Sequence, residues 1–398
     1  MSGRKQGEAA VTSCIVGWAH TPFGKLPDLD IEGLIEQVAG AAIADAGIEP
    51  DAVDAVFVGM FNNGFSKQDF PSSLPMQGID ALRFKPATRY ENACASGSAA
   101  IHGARDFLAA GRGRFTLVIG AEKMTATPGP QVGDNLLGAS YRREEGEIPA
   151  GFAGVFGRIA ERYFQQYGDQ SDALAAIAAK NHRNGVDNPF AQMRKDLGYD
   201  FCRTVSDRNP YVAPPLKRTD CSLVSDGAAA LVITDEDTAR GMGKAVRFRS
   251  AVQVNDYLPL SRRDPTRFDG AAHAWRQALD AAGLGLQDLS FAEVHDCFTI
   301  AELLAYEAMG LAAPGQGARA VLDGTTGPDG RFPVNRSGGL KAKGHPVGAT
   351  GVSMHAMAAM QLTGQAGDMQ LPRADVAGVF NMGGAGVANY VSILEAVR

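Results

Sequence analysis

Apolar residues along this chain follow two patterns that alternate, a helical spacing and short continuous runs. Ile101, Ala104 and Leu108 recur at helical spacing and predict a helix that ends before Gly111. A continuous apolar run at residues 115–119 follows and predicts a buried strand. Because helices and strands of this kind alternate in both halves of the chain, the pattern predicts an α/β fold with right-handed crossovers and mostly parallel pairing.

The sequence contains the same unit twice. A helix end, a glycine stop and a buried strand occur at residues 42–59 and again at residues 278–295, and the two copies align without a gap. Gly47 of the first copy matches Gly283 of the second, and each glycine is placed where a helix stops. We interpret the match as an internal duplication. Chance resemblance is the alternative, since glycine after an alanine-rich helix is common.

The duplication divides the chain into an N-terminal half at residues 1–240 and a C-terminal half at residues 241–398. Residues 125–219 have no counterpart in the second half and are predicted to form a loop insertion. Within it, helical spacing predicts two helices at residues 155–167 and 172–182. A large insertion commonly covers an active site and shapes its pocket, or it serves as an arm that stabilises a dimer.

Composition narrows the class of protein. The formal net charge is −6 and no basic stripe is present, so the chain is not expected to bind nucleic acid. No apolar run is long enough to span a bilayer. The five cysteines are scattered and include no C-x-x-C pair. This usage favours a reducing, cytoplasmic location over a disulfide framework or a structural zinc site.

Cys94 is the strongest candidate nucleophile. It lies between an extended run at residues 87–90 and the first turn of the helix that contains Ile101. The positive end of a helix dipole lowers the pKa of a nearby thiol and raises the fraction of reactive thiolate. The small neighbours Ala93 and Gly97 leave room for a substrate to reach the sulfur. The alternative is a buried cysteine that packs as a small apolar residue.

Two further candidates, His295 and Cys297, follow a predicted strand of the second half. Sites in α/β folds are assembled at strand ends, and a turn at this point lets the two side chains converge. A buried structural pair is the alternative. Zinc binding is disfavoured because no other His/Cys pair lies at ligand spacing.

A glycine-rich segment at residues 338–351, the glycine loop, surrounds His345. Its glycines let the backbone approach a ligand closely. The spacing matches neither the P-loop nor the dinucleotide-binding pattern, so a nucleotide phosphate site is rejected. We interpret His345 as a general base. Residues 381–386 form another glycine turn after the last buried strand, and free backbone N–H groups there would serve as an oxyanion hole, unless the segment is a plain turn.

Four segments together resemble the motifs of the thiolase superfamily. In chain order they are NACASGSAA around Cys94, SDGAAALVI at the end of the first half, HDCF at residues 295–298, and GGLKAKGHPVGATG around His345. The last motif is highly specific to thiolases. HDCF is specific to the sterol-carrier-protein type, since most other thiolases carry NEAF there. The resemblance covers nearly the whole chain and implies duplicated α/β units stacked as a five-layered αβαβα sandwich, with a loop insertion in the first half.

The resemblance also implies a role for each candidate residue. Cys94 is expected to be the nucleophile that becomes acylated, and His345 the base that activates it. His295 takes the place of a family asparagine that holds the thioester oxygen in one oxyanion hole. The backbone N–H groups of Cys94 and Gly383 are expected to form the other.

The sequence departs from ordinary thiolases at one catalytic position. Those enzymes carry a second catalytic cysteine in a C-x-G motif, where this chain has Asn381. In the sterol-carrier type, the cysteine of HDCF is thought to replace it, which here is Cys297. The resemblance therefore implies two reactive thiols, the second supplied from a different strand.

The implied activity is that of a CoA-dependent thiolase similar to acetyl-CoA acetyltransferase. Such an enzyme cleaves a 3-oxoacyl-CoA with CoA or runs the reverse Claisen condensation. CoA and acyl-CoA are then substrates, with no metal and no tightly bound cofactor, and the protein is expected to be a homodimer or homotetramer. The residues that bind CoA are not assigned. A thiolase-like carbon–carbon lyase and a non-catalytic acyl-binding subunit of a complex are the alternatives.

Overall fold

The computed structural model describes residues 12–397. Buried apolar runs form most of the strands. The strands are β1 (Ser13–His20), β2 (Ala55–Gly59), β3 (Ala87–Tyr90), β4 (Phe115–Glu122), β5 (Tyr211–Ala213), β6 (Leu216–Lys217), β7 (Gly227–Asp235), β8 (Val246–Asn255), β9 (Phe291–Val294), β10 (Val376–Gly383) and β11 (Ala388–Ala396). The helices are α1 (Ile31–Asp45), α2 (Pro75–Gly78), α3 (Ser96–Ala109), α4 (Gly129–Leu136), α5 (Arg142–Glu145), α6 (Phe152–Tyr167), α7 (Ser171–Val186), α8 (Tyr199–Arg203), α9 (Glu236–Ala239), α10 (Asp269–Ala282), α11 (Thr299–Ala308), α12 (Gly317–Leu322), α13 (Gly339–Lys343) and α14 (Thr350–Leu362).

Nine of the described strands form one mixed sheet in the order β3-β2-β4-β7-β1-β8-β11-β10-β9. β2 pairs in parallel with β3 and with β4, and β9 pairs in parallel with β10. Helices connect these parallel strands, as the alternating pattern predicted. The other neighbouring pairs of this sheet are antiparallel. Parallel pairing is therefore confined to the outer part of each half of the sheet.

The two halves of the sheet repeat one topology. The first half has the order β3-β2-β4-β7-β1, and the second has β9-β10-β11-β8. Where the second half lacks a counterpart of β3, Val334 pairs in parallel with Ala292 of β9. Gly47 and Gly283 end the equivalent helices α1 and α10 with the same φ of 67°, a left-handed conformation that glycine adopts without strain. The internal duplication is confirmed.

Helix α14 lies at the centre of the fold. All of its residues are buried, and it contacts β7 of the first half, β10 of the second half, and α3. α1 covers the outer face of the first half of the sheet, and α10 covers the outer face of the second. The layers run α1, half-sheet, α3 with α14, half-sheet, α10, which confirms the αβαβα sandwich.

The connection between β4 and β7 is the largest difference between the two halves. It comprises residues 123–226, whereas the equivalent strands β10 and β11 are joined by residues 384–387. The segment is largely helical and not a simple loop: it holds α4 to α8, and the helices predicted at residues 155–167 and 172–182 lie within α6 and α7. α7 packs against α11, α12 and α13 of the second half. The division of the chain at about residue 240 stays a prediction.

All five cysteines are free thiols in the described part of the chain. None of the five cysteines forms a disulfide within residues 12–397, as their scattered placement indicated. Four of them, Cys14, Cys94, Cys202 and Cys297, are buried. Over the same range, no helix combines the length and the apolar character that crossing a membrane requires.

Candidate active site

A sharp turn between β3 and α3 carries Cys94. Ala93 has a φ of 50°, in the left-handed region that residues with a side chain rarely adopt. Its N–H donates to Glu91 Oε1 at 2.6 Å. α3 begins at Ser96, whose hydroxyl accepts the N–H of Asn92 at 2.9 Å. The turn thus fixes the backbone on both sides of Cys94, whose side chain is only 2% exposed.

Both candidate histidines meet this cysteine. β9 ends at Val294, directly before His295, and His345 lies between α13 and α14. The Cys94 sulfur and one ring nitrogen of each histidine lie within 4.8 Å of one another. The two imidazole rings have centroids 5.1 Å apart and are nearly perpendicular, at 83°. The fold therefore brings one residue of the first half and two of the second to a single buried point.

The other two candidates lie beside this cluster. Burial raises the pKa of the Cys297 thiol well above its usual range, and a thiolate at Cys94 would raise it further, as expected of a thiol near Cys94. Gly383 is the last residue of β10, and a Cβ there would lie 2.2 Å from the carbonyl oxygen of Asn92, so the position requires glycine. The backbone N–H of the next residue, Gly384, hydrogen-bonds to the Cys94 sulfur.

The expected low pKa of Cys94 is wrong for the resting site. Burial raises the pKa of this thiol to about 12, and the carboxylate of Glu122 adds to the rise, while the N–H of Gly384 opposes it. Removal from water penalises the thiolate more than the nearby end of α3 stabilises it. Cys94 therefore rests as a neutral thiol and needs a base when it reacts.

His345 is held as a neutral base. The Thr350 hydroxyl donates to the carbonyl of Pro346 at 3.0 Å, and its oxygen lies 2.7 Å from His345 Nδ1. Since the one hydroxyl proton is committed, Thr350 accepts the Nδ1–H, and Nε2 carries the lone pair. Burial, and then the ammonium group of Lys343, lower the pKa of His345 to about 3. The imidazole is therefore neutral at physiological pH.

His295 has a different set of partners. Asn381 Nδ2 lies 2.9 Å from His295 Nδ1 and 3.2 Å from the carbonyl oxygen of Cys94. The other ring nitrogen, Nε2, is buried and has no hydrogen-bond partner among residues 12–397. Burial, and then the neighbouring His345, lower the pKa of His295 well below its usual range. This ring is neutral as well.

Asp296 joins the HDCF segment (residues 295–298) to the glycine loop. Its carboxylate accepts the backbone N–H of Leu340 at 2.6 Å, and Asn181 of α7 donates to it at 2.8 Å. A Cβ at Gly339 would lie 2.3 Å from Asp296 Oδ2, so the close approach requires glycine. One buried carboxylate thus holds the HDCF segment, the start of α13 and the long β4–β7 connection together.

Glu122, at the end of β4, anchors the other end of the glycine loop. It accepts the backbone N–H of Gly348 at 3.0 Å, and those of Phe61 and Asn62 at 3.0 and 2.9 Å. Burial raises the pKa of Glu122 to about 7, although the three N–H groups oppose the rise. The loop that carries His345 is therefore fastened to the first half of the fold.

The sequence and the fold both match one family. The thiolase N-terminal domain matches residues 13–197, and the thiolase C-terminal domain-like family matches residues 251–396. The chain is 37% identical over 384 residues to an acetyl-CoA acetyltransferase of Methanothermobacter thermautotrophicus, a match that covers 96% of this chain and 98% of that protein. The chain belongs to the thiolase family.

Other thiolase-family relatives confirm the resemblance to the sterol-carrier type. Human sterol carrier protein 2 is 32% identical over 389 residues, which cover 93% of this chain and 69% of that protein. The solved structure of an Ltp2-ChsH2(DUF35) aldolase superposes with a TM-score of 0.83 at 23% identity, covering 97% of this chain and 98% of that chain. At that identity the structural likeness establishes the thiolase fold alone.

Several residues that build this thiolase site received no role from the sequence. Ser98, Asp296 and Thr350 lie inside the recognised motifs, so their position in a motif was the available signal. Glu122 ends a buried strand, which is where site residues collect in α/β folds. Asn181 gave no signal, because the alanine-rich pattern of α7 does not show which polar side chain faces inward.

Proposed function

We propose that this member of the thiolase family is a CoA-dependent acyltransferase of the acetyl-CoA C-acyltransferase type. It would cleave a 3-oxoacyl-CoA with CoA, or run the reverse Claisen condensation, through an acyl-Cys94 intermediate. The observation that carries the proposal is the meeting of the Cys94 sulfur with nitrogens of His295 and His345 within 4.8 Å. Similarity to an acetyl-CoA acetyltransferase across nearly the whole chain supports CoA and acyl-CoA as the substrates.

In the cleavage direction, the Cys94 sulfur attacks the 3-keto carbon and its proton passes to Nε2 of His345. The keto oxygen becomes an oxyanion, which the N–H groups of Cys94 and Gly383 stabilise. The C2–C3 bond then breaks, the acyl group stays on Cys94, and the electron pair forms the enolate of acetyl-CoA. His295 Nε2–H donates to the enolate oxygen. Cys297 gives its proton to C2, and acetyl-CoA leaves.

The second half of the reaction restores the enzyme. A CoA thiol gives its proton to the Cys297 thiolate and attacks the acyl carbonyl on Cys94. The bond between the acyl group and Cys94 breaks, Cys94 takes back the proton held by His345, and the new acyl-CoA leaves. Because burial and Lys343 keep the pKa of His345 low, the imidazolium returns its proton readily to the departing Cys94 thiolate. The covalent intermediate splits one difficult step into two easier ones.

The remaining features of the proposal concern the working state of the protein. It uses CoA and acyl-CoA as exchangeable substrates with no metal and no tightly held cofactor, and it works as a homodimer or homotetramer in the cytoplasm. We also propose that the division near residue 240 separates the two thiolase halves, and that residues 125–219 supply contacts to CoA.

Mass spectrometry after incubation with acetyl-CoA tests the proposal directly. We expect one added acetyl group, located on Cys94 by peptide mapping and missing from Cys94→Ala. Cys297→Ala is the matched second-thiol variant: it should still acetylate at Cys94 and yet fail to form the carbon–carbon bond of acetoacetyl-CoA. An unmodified wild-type protein under turnover conditions would contradict the acyltransferase, and full turnover by Cys297→Ala would contradict the role of that thiol.

A carbon–carbon lyase is the second candidate, because an Ltp2-ChsH2(DUF35) aldolase shares the thiolase fold. A lyase of that kind forms no acyl-enzyme, so it has no use for the Cys94 nucleophile. The acetylation experiment separates the two candidates, because retro-aldol cleavage that survives Cys94→Ala would establish the lyase.

A further inference from the structure

The proposed reaction gives opposite tasks to two buried histidines that both lie next to Cys94. His345 must accept a proton from Cys94, whereas His295 must donate a hydrogen bond to an enolate oxygen. Both rings are neutral, since burial lowers both pKa values. A neutral imidazole has one donor and one acceptor nitrogen. Each task therefore requires a defined tautomer, and the tautomer depends on the partner of the nitrogen that faces away from the substrate.

The orientation of the Asn381 amide is determined from two sides. One end of the amide lies 3.2 Å from the carbonyl oxygen of Cys94, which has no proton to give, so that end must be the NH₂ group. The other end accepts the hydroxyl proton of Ser98 at 2.7 Å. A Cβ at Gly351 would lie 2.6 Å from Asn381 Oδ1, so packing also leaves the amide little room to turn.

The NH₂ group then faces His295 Nδ1 at 2.9 Å. A donor in that position requires a lone pair on Nδ1, so the ring proton must be on Nε2. Nε2 is the buried nitrogen that has no hydrogen-bond partner in the described part of the chain.

We infer that Asn381 is a positioning residue that fixes the Nε2–H tautomer of His295. Asn381, at the position where ordinary thiolases carry their second catalytic cysteine, thus makes this histidine an obligate donor. The inference rests on the proposed function for the identity of the acceptor, the enolate oxygen.

The same geometry has a second consequence. A thiolate and two imidazole nitrogens within 4.8 Å are a ligand set that suits zinc. A histidine binds a metal through a lone pair, and its other nitrogen then donates its proton to an acceptor such as a carboxylate. At His295 the other nitrogen faces an amide NH₂ group, which cannot accept that proton. Asn381 therefore also disfavours capture of a divalent metal by Cys94 and the two histidines.

Nitrogen-15 NMR of the wild-type protein, labelled at its seven histidines, reads the tautomer without any change to the site. The His295 signals are assigned by their loss in His295→Asn. We expect a protonated Nε2 and an unprotonated Nδ1. A proton on Nδ1 would overturn the inference, whatever the variants show.

Two variants of similar volume separate positioning from packing. Asn381→Asp places a carboxylate against Nδ1, and Asn381→Leu places neither donor nor acceptor there. Zn²⁺ affinity is measured by titration calorimetry of each folded protein. Asn381→Asp should bind Zn²⁺ about 10- to 100-fold more tightly than the wild type, the usual effect of an outer-shell partner, whereas Asn381→Leu should gain much less. Equal affinities in the two variants would mean that Asn381 only fills space.

The acetylation experiment keeps this inference distinct from the proposed function. A protonated His295 Nε2 in a protein that never acetylates Cys94 would contradict the acyltransferase and leave the tautomer assignment standing. An acetylated Cys94 with a proton on His295 Nδ1 would contradict the tautomer assignment and leave the acyltransferase standing.

Discussion

The HDCF segment and the glycine loop each place one histidine next to Cys94, but the two segments are held in place by different contacts. The HDCF segment is a short turn at the end of β9 whose own carboxylate, Asp296, reaches out to hold its neighbours. The glycine loop is held from outside, by Asp296 near its start and by Glu122 near its other end. Thr350 faces Nδ1 of one ring as an acceptor, and Asn381 faces Nδ1 of the other as a donor. Identical side chains thus take opposite roles from the groups behind them.

Removing the proposed base, His345, should have the largest effect on activity. We expect His345→Ala to slow acetylation of Cys94 by about 10⁴-fold at neutral pH, the upper end of what a general base contributes, because burial keeps the Cys94 thiol protonated. The time course of adduct mass gives the rate. The residual rate should rise with pH as more thiolate forms. Acetylation at the wild-type rate would show that Cys94 needs no base.

Removing the donor should cost less, and at a different step. His295→Ala is expected to lower kcat for acetoacetyl-CoA formation by about 10²–10³, the usual loss for one oxyanion donor, with a much smaller effect on acetylation of Cys94. His295→Asn is the control, because its amide offers a donor at the position where most thiolases carry asparagine. Equal losses in both variants would argue that the imidazole does more than donate.

The smallest expected effect is on stability, and it concerns Glu122, which anchors the glycine loop. Because burial raises the pKa of Glu122 from 4.5 to about 7, the folded state binds this proton more tightly than the unfolded state. Its contribution to stability is therefore largest below about pH 4.5 and is lost as pH rises to about 7. Relative to Glu122→Gln, the wild-type free energy of unfolding should fall by roughly 1–3 kcal/mol over that range. Urea unfolding at several pH values measures it, and a difference that does not change with pH would contradict the assignment.

Much of the fold could be predicted from the sequence. The gap-free match of residues 42–59 with residues 278–295 revealed the duplication, and it includes glycines at equivalent helix ends, Gly47 and Gly283. The antiparallel pairing of β7, β1, β8 and β11 could not be predicted, since a buried apolar run does not encode strand direction. Within the long β4–β7 connection, the sequence predicted the two longest helices, α6 and α7, but not the shorter α4, α5 and α8, where the apolar spacing is weak.

The site was only partly predictable. The motifs were sufficient to select Cys94 and His345 as candidates. The prediction of a low pKa for Cys94 was wrong because the depth of burial cannot be deduced from local sequence. The donor role of Asn381 was also hidden, since its two main partners, Cys94 and His295, are distant in the chain. Local sequence identifies the candidate groups, and the long-range contacts decide their protonation.

Helix α14, with no residue open to water, has a consequence for how the protein is made. Neither half of the polypeptide can bury this helix alone, since its two sides pack against different halves of the sheet. A nascent chain that stops short of β10 carries Cys94 but lacks one of the two surfaces that hold α14, the helix next to His345. We therefore expect the complete site to form late in synthesis, after β10 and β11 have been added to the sheet.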